Sequence, residues 1–176
     1  MITRRHAAGG TRSEAVYSDC ERYRYRLSRT WDDGPSLLFV MLNPSTATEL
    51  HNDPTIERCE RRARHSGYGA FHICNLFAWR ETSPAALRKA RRPIGPDNTA
   101  QLLLAAAKAD TILCAWGVHG AHLDQGAKIT RALRDAGHSL CHLGLTKDGH
   151  PKHPLYLPYS TQPQRWEFDT EPTAMQ

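Results

Sequence analysis

The pattern of hydrophobic and polar residues divides the chain into short strands separated by helices. Aromatic or aliphatic residues alternate with charged ones over residues 21–31, which is typical of an edge or half-buried strand. Residues 36–42 are almost entirely apolar, as expected for a parallel strand that is covered on both faces. Similar apolar runs follow at residues 70–77, 111–116 and 140–143. The pattern therefore predicts one strand near the N terminus and four further strands.

Helical spacing appears in the intervals between these strands. Ile56, Cys59 and Ala63 share one face of residues 54–66, where Asp53 can cap the helix and the following proline fits its first turn. Further helices are predicted over residues 85–90, 98–110 and 121–136.

Strands that alternate with helices are typical of the α/β class. We predict a three-layer α/β/α sandwich with a mostly parallel four-stranded central sheet and an N-terminal edge strand. Residues 1–176 are predicted to form a single domain, with a core at about 36–158, the N-terminal strand at about 21–31 and a C-terminal tail at 159–176. Such sheets bind ligands at the carboxyl ends of their strands.

Composition supports a globular protein. The 176 residues are 40% hydrophobic and carry a formal net charge of +5. No apolar run approaches the roughly 18 residues of a membrane helix, and the N terminus lacks the apolar segment of a secretory signal. We therefore expect a cytoplasmic protein with no membrane contact and no obligate protein partner. The five scattered cysteines do not predict a disulfide framework.

Positive charge is concentrated in the helix at 54–66 and in the polar segment that follows the strand at 70–77. Such a run can be a solvated helix face, but here the charge flanks strand ends where phosphates could pass. We therefore predict DNA as the partner. The candidate DNA contacts are Arg58, Arg61, Arg62, Arg80, Arg91 and Lys152.

Several segments along the chain resemble one enzyme superfamily. They read LFVMLNPS at residues 38–45, ICNL at 73–76, ILCAWG at 112–117 and HPLYL at 153–157. In this order they resemble four motifs of the uracil-DNA glycosylase superfamily. The chain is also similar to a family of small bacterial and phage proteins defined by the segment Met-Leu-Asn-Pro-Ser-Thr-Ala.

The resemblance implies a uracil-DNA glycosylase-like fold and a monofunctional DNA glycosylase. Such an enzyme flips a base out of DNA and hydrolyses its N-glycosidic bond, which leaves an abasic site. The chain departs from the superfamily pattern at Met41, Asn43, Ser45 and Leu155. These departures argue against uracil as the substrate and favour a modified base, such as glucosylated hydroxymethylcytosine in phage DNA. The biological setting would be anti-phage defence or base excision.

The resemblance also assigns catalytic roles. His153 would donate a hydrogen bond to the departing base, with His150 as a competing candidate. Asn43 would orient the attacking water through its side-chain carbonyl, which is too weak a base to take the proton itself. Asp53 could supply the missing base or could simply cap the following helix.

Recognition of the base would fall to the remaining candidates. Asn75 would pair with the base edge, Ser45 would leave room for a large base, and Phe77 or Trp79 would stack on it. The first motif contains no lysine, which favours direct hydrolysis over Schiff-base chemistry. No ligand spacing for a metal is found among the histidines, and no cofactor is expected.

Two alternatives stay open at this point. The chain could be an N-glycosidase that acts on free nucleosides or nucleotides, which would need no arginine-rich rim. It could also be a module that binds nucleic acid without cutting it.

Overall fold

The computed structural model describes residues 1–167. The strands are β1 (Ile2–Ala8), β2 (Thr11–Tyr17), β3 (Arg24–Thr30), β4 (Ser36–Met41), β5 (Ala70–Asn75), β6 (Thr111–Cys114), β7 (Cys141–His142) and β8 (Gln164–Arg165). The helices are α1 (Pro54–His65), α2 (Pro84–Lys89), α3 (Asn98–Ala106) and α4 (Gln125–Asp135). Two 3₁₀ segments, Val118–Asp124 and Pro154–Tyr156, complete the elements.

One mixed sheet of eight strands runs through the described residues, in the order β1-β2-β3-β5-β4-β6-β7-β8. Within residues 1–167, four of the seven pairings between neighbouring strands are antiparallel, and only β5-β4-β6-β7 pair in parallel. The prediction of a mostly parallel four-stranded sheet in an α/β/α sandwich is therefore wrong. The strand predicted at the edge, β3, is also internal, because it pairs with both β2 and β5.

The hairpin of β1 and β2 accounts for much of this error. Six of the seven residues of β1 are exposed, so the strand has no apolar face from which a period of two could be recognised. Gly9 and Gly10 form its turn with φ of 55° and 77°. A Gly-Gly pair between two strands is a hairpin signal. The charged outer strand also protects the edge of the sheet from pairing with another chain.

The remaining error lies at the other edge of the sheet. Residues 164–165 fall in the predicted C-terminal tail but form β8, which pairs antiparallel with β7. The last part of the predicted tail, residues 168–176, lies outside the described residues.

The core lies on both faces of the sheet around β4, which is buried between β5 and β6 as its apolar sequence predicts. Leu37, Phe39 and Met41 pack with the apolar face of α1. Leu38 and Val40 pack on the opposite side, with residues of α3 and α4. None of the helices in residues 1–167 is long and apolar enough to cross a membrane.

Candidate functional site

A cleft lies where the parallel strands β4, β5 and β6 reach their carboxyl ends. Its volume is about 540 Å³, within the range of roughly 300–1,000 Å³ that is typical of small-ligand sites. The loops after β4 and β6 and the segment Pro154–Tyr156 contribute to its walls. Five of the predicted site residues line it together: Asn43, Ser45, Asp53, Asn75 and His153.

Asn43 follows β4 and has a fixed side-chain orientation. Its Nδ2 donates to the carbonyl oxygens of Glu81 at 2.6 Å and of Pro44 at 3.2 Å. Because both partners are acceptors, the amide nitrogen must face them and Oδ1 must face away. Oδ1 has no hydrogen-bond partner among the described residues, so it is free to accept one from a water or a ligand.

Asn75 is the last residue of β5 and is only 2% exposed. Its backbone carbonyl accepts from Nδ2 of Asn98 at 2.8 Å, but its side-chain amide makes no hydrogen bond within residues 1–167. Buried polar groups are normally satisfied, because an unpaired one costs about 1–3 kcal/mol. An unpaired amide in the wall of a cleft is therefore suited to pair with a ligand that offers both a donor and an acceptor.

His153 caps the segment Pro154–Tyr156. Its Nδ1 accepts a hydrogen bond from the backbone N–H of Leu155 at 3.2 Å. A backbone N–H can only donate, so Nδ1 carries no proton and the neutral ring must carry its proton on Nε2. Burial lowers the pKa of His153, and the nearby charge of Asp53 offsets part of this effect. His153 is thus a neutral side chain at pH 7 with a free Nε2–H donor.

The loop that carries His153 is held against β6. The backbone N–H of Gly117 donates to the carbonyl of Pro151 at 2.8 Å, and the N–H of Lys152 donates to Gly144 at 2.9 Å. Gly117 has a φ of 70°, a left-handed conformation that favours glycine. The competing candidate His150 does not line the cleft and lies instead at a separate cavity beside Trp116.

Asp53 is engaged as the N-cap of α1. Its Oδ1 accepts from the N–H of Ile56 at 2.9 Å, and its Oδ2 accepts from the N–H of Ala47 at 3.2 Å. Both carboxylate oxygens thus hold backbone groups, one of the helix and one of the loop after β4. This arrangement favours the capping role, although the carboxylate also lines the cleft.

The two stacking candidates lie away from the cleft lining. Phe77 is fully buried, and its ring contacts that of His122 at 5.4 Å between centroids. Trp79 packs edge-on against Tyr23 at 5.4 Å and lines a neighbouring groove, which meets the cleft at Ser45. Stacking of Phe77 on a base is not supported by its position, whereas Trp79 is next to the site.

The arginines of α1 are largely committed to the fold. Arg58 donates to the carbonyl of Leu157 at 2.7 Å, and its guanidinium lies 4.1 Å from the ring centroid of Tyr159. Arg62 is 2% exposed and donates to the carbonyls of Thr161, Leu157 and Pro158. Neither position supports the predicted DNA contact, because these groups hold the C-terminal loop.

The other predicted DNA contacts are at the surface or partly exposed. Arg61 is exposed and forms an ion pair with Glu57 at 2.7 Å. Arg80 lies over the ring of Tyr17 and lines the same groove as Trp79. Arg91 and Lys152 are exposed, and neither side chain is paired with any residue in 1–167.

One residue of the site was missed from the sequence, and the basic segment after β5 has one contact with the cleft. Arg24 lines the cleft although it is only 1% exposed; the alternation of residues 21–31 placed it among solvent-facing charges. Arg88 in the last turn of α2 contacts Nδ1 of His119 at 2.9 Å, and His119 lines the cleft. Arg88 therefore puts positive charge at the rim of the cleft next to α2, and the exposed Lys89, Arg91 and Arg92 follow it in the chain.

Metal and thiol chemistry find little support among the described residues. Within residues 1–167, no group of three or more His, Cys, Asp or Glu side chains is placed to hold a metal ion. Cys59, Cys74 and Cys114 are buried, and burial raises the pKa of each thiol, that of Cys74 to about 12. A protonated, buried thiol is a poor nucleophile.

Comparison with known proteins gives one match. Residues 24–155, about three quarters of the chain, match a family described as Protein of unknown function (DUF1643). The first and last residues of the match, Arg24 and Leu155, both line the cleft. No curated protein and no solved structure matches the chain.

Proposed function

The chain belongs to the DUF1643 family, and we propose that it is a monofunctional DNA glycosylase that hydrolyses the N-glycosidic bond of a modified base. The observation that carries the proposal is the convergence of Asn43, Asn75 and His153 in one cleft. Asn75 follows Asn43 by 32 positions, and His153 follows Asn75 by 78. Each of the three side chains has a hydrogen-bonding group in the cleft that is not used within the described protein.

His153 would stabilise the departing base. When the bond between the base nitrogen and C1′ of the sugar breaks, its electron pair stays on the base, which becomes anionic, while the sugar takes on oxocarbenium character. A neutral Nε2–H donor directed at an oxygen or nitrogen of the base stabilises that charge without first having to lose a proton. Burial of the ring strengthens the interaction because it lowers the local dielectric constant.

Asn43 would position the attacking water. Its Oδ1 can accept a hydrogen from a water molecule while Nδ2 stays fixed on the loop carbonyls. The water oxygen then bonds to C1′, and its proton passes to the departing base or to solvent. An amide is too weak a base to accelerate this step by itself, so most of the rate must come from leaving-group stabilisation.

Asn75 would read the extruded base. Its amide offers one acceptor and two donors at the buried wall of the cleft, which matches the paired donor and acceptor on the edge of a nucleobase. Ser45, a small residue in the same wall, leaves room for a substituent on the base. No lysine is among the cleft residues in the part of the chain that the structure describes, which favours hydrolysis over Schiff-base chemistry.

The rim next to α2 would hold the DNA backbone. Its exposed cations are Arg88, Lys89, Arg91 and Arg92, and Arg88 touches the cleft residue His119. Cations at this place could contact phosphates on either side of a flipped nucleotide. The sequence had already assigned a DNA contact to Arg91 in this segment, and the contacts that it assigned to Arg58 and Arg62 are not part of the proposal.

The proposal is tested by incubating the chain with phage genomic DNAs that carry different modified bases and measuring the released bases by mass spectrometry. We expect one class of modified base to be released, with an equal number of abasic sites left in the DNA. Release from free nucleosides but not from DNA would favour an N-glycosidase of the nucleoside type. Retained DNA binding with no released base from any DNA would favour a non-catalytic binding module.

A further inference from the structure

Arg24 is a buried cation in the cleft wall with few partners. It is 1% exposed, and its Nη1 donates to the carbonyl of Ala47 at 2.5 Å. Its Nε is buried without a hydrogen-bond partner, as are those of Arg58 and Arg62, so the difference between these side chains lies in the terminal nitrogens. No carboxylate of residues 1–167 comes within 4 Å of the guanidinium, the limit for an ion pair.

The other buried arginines of the chain have more partners. Arg62 makes three hydrogen bonds to carbonyls of the C-terminal loop. Arg29 donates to two backbone carbonyls and to the side chain of Asn52. Arg24 has one such bond, and burying a charge with so little compensation is costly.

The charges around Arg24 also leave its positive charge poorly compensated. Burial lowers the pKa of Arg24 to about 10, and the charges of Arg80 and Arg29 act in the same direction. Tyr17 and Asp53 act in the opposite direction, but the carboxylate of Asp53 is already bonded to two backbone N–H groups. An additional negative group at this wall would therefore be favoured.

The neighbouring donors are those that commonly bind phosphate. Ser45 and Thr46 line the same cleft as Arg24, and they directly precede Ala47, whose carbonyl accepts from Arg24. Neither hydroxyl is bonded to another described residue. Arg together with Ser and Thr hydroxyls is a frequent phosphate-binding set in protein–DNA complexes. The carboxylate of Glu81 also lines this part of the cleft, but its Oε1 accepts from the N–H groups of Thr82 and Ser83.

The position of Ser45 and Thr46 indicates a path for a polynucleotide strand. Both residues line the cleft and also the neighbouring groove. The groove's other residues include Arg22, Trp79 and Arg80, and two carboxylates, Glu21, which is ion-paired with Arg4, and Glu81. A strand whose base occupies the cleft could continue into this groove, where cations and an aromatic ring follow.

We propose that Arg24, with Ser45 and Thr46, forms an anion subsite that binds a backbone phosphate of the nucleotide whose base enters the cleft. This inference rests on the proposed function, and it specifies the substrate class: a nucleotide within a phosphodiester chain instead of a free nucleoside. Arg24 is then a binding residue that selects polymeric substrate.

The test uses DNA that lacks the base, so that it does not depend on the identity of that base or on catalysis. The probe is a duplex of 11 base pairs with a central tetrahydrofuran abasic analogue, a length of about one helical turn. A second duplex carries neutral methylphosphonates on both sides of the analogue. Dissociation constants are measured by fluorescence anisotropy for the wild-type chain, for Arg24→Gln and for the surface control Arg61→Gln.

We expect Arg24→Gln and the methylphosphonate duplex each to weaken binding by about tenfold or more, as for the loss of a charged hydrogen bond. When Arg24→Gln binds the methylphosphonate duplex, the dissociation constant should rise no further than it does with either change alone. In Arg61→Gln, the methylphosphonates should weaken binding as much as they do in the wild-type chain. Losses that multiply when combined would overturn the subsite, because they would show that Arg24 and the phosphates act independently.

Inorganic phosphate provides a second readout that does not require a variant with wild-type stability. Phosphate at millimolar concentration should raise the melting temperature of the wild-type chain and of Arg24→Lys, which keeps the positive charge, but not that of Arg24→Gln. An equal rise in all three chains would contradict the subsite. Failure of the base-release screen alone would leave these binding results unchanged, so the two proposals can be told apart.

Discussion

The cleft and the contact between α1 and the C-terminal loop both bury polar side chains, but they do so in opposite ways. In the α1 contact, Arg62 satisfies three carbonyls of residues that follow it by 95 to 99 positions. In the cleft, the side-chain amide of Asn75 makes no hydrogen bond to the described residues, and the guanidinium of Arg24 makes only one, to the carbonyl of Ala47. The first arrangement stabilises the fold, whereas the second keeps hydrogen-bonding groups available for a ligand.

This comparison corrects an inference from charge alone. Six arginines and lysines were predicted to contact DNA, and two of them, Arg58 and Arg62, have their guanidinium groups bonded to backbone carbonyls. A positive residue is available to a nucleic acid only if its charge is not already used within the protein. The available charge lies next to α2, where Arg88 reaches the edge of the cleft.

The largest expected effect is on base release. His153→Ala removes the Nε2–H donor, and Asn43→Ala removes the acceptor that positions water. Each should reduce single-turnover release by about a hundredfold or more. The affinity for abasic DNA should stay close to the wild-type value, whereas the melting temperature should fall modestly, because each variant also loses the hydrogen bonds that its side chain makes to the loop backbone. Release at the wild-type rate by either variant would contradict the role given to that residue.

The second largest expected effect is on stability, in the contact between α1 and the C-terminal loop. Arg62→Ala leaves three carbonyls of the C-terminal loop without their donor, and we expect the free energy of unfolding to fall by about 2–4 kcal/mol. Arg61→Ala, on the exposed side of the same helix, should change it by no more than about 0.5 kcal/mol. Urea denaturation measures both. Equal changes in the free energy of unfolding for the two variants would show that the buried Arg62 stabilises the fold no more than the exposed Arg61 does.

Asn75→Ala separates function from stability at a single buried position. Its side chain has no partner within the described protein, so its removal should alter the free energy of unfolding by less than about 1 kcal/mol, in contrast to the loss of a satisfied buried group. Base release should nevertheless fall by about tenfold, because the base loses its paired hydrogen bonds. A large loss of stability with unchanged release would assign Asn75 to the fold.

Charge reversal next to α2 tests the rim. The double variant Arg88→Glu with Arg91→Glu should weaken DNA binding by about tenfold. The slope of the logarithm of the binding constant against the logarithm of the salt concentration should decrease by about the amount that two phosphate contacts contribute. Arg61→Glu serves as the matched control on α1, and its effect should be smaller. A stronger effect at Arg61 would place the DNA on α1, which carries three of the six contacts predicted from the sequence.

The smallest effect concerns pH. Burial lowers the pKa of His72, His142 and His153, so the folded chain resists protonation of these rings below the ordinary histidine pKa of about 6.5. The unfolded chain then binds more protons, and stability should fall as the pH decreases from 7 to 5. His153→Ala should show a smaller decrease in the urea midpoint over this interval. An equal or larger decrease would contradict the depressed pKa of His153.

The sequence identified the parts of the fold that local pattern determines. The apolar run of β4 marks a strand buried on both faces, and Asn43, Asn75 and His153 could be assigned to one cleft because parallel strands end at a common edge. The hairpin of β1 and β2 was missed because β1 is exposed along six of its seven residues, so no alternation of apolar and polar residues reveals it. The paired glycines of its turn were the available signal.

The charged residues were harder to place, because their burial depends on distant parts of the chain. Arg62 lies near the apolar stripe of α1 defined by Cys59 and Ala63, and helical spacing could have placed it at the edge of the buried face. Its partners, however, follow it by more than 90 residues, which no local pattern encodes. Arg24 likewise shares the alternation of its strand, and its one hydrogen bond is to Ala47 in the loop after β4, 23 residues further along the chain.

The most direct test of the central claim is a crystal structure of the chain bound to a duplex whose target nucleotide carries a 2′-fluoro group, which slows cleavage of the N-glycosidic bond. We expect the target base to lie in the cleft, with its edge paired to the amide of Asn75 and one of its oxygen or nitrogen atoms within hydrogen-bond distance of Nε2 of His153. A base that stays stacked in the duplex, or DNA that lies along α1 while the cleft is empty, would contradict the claim.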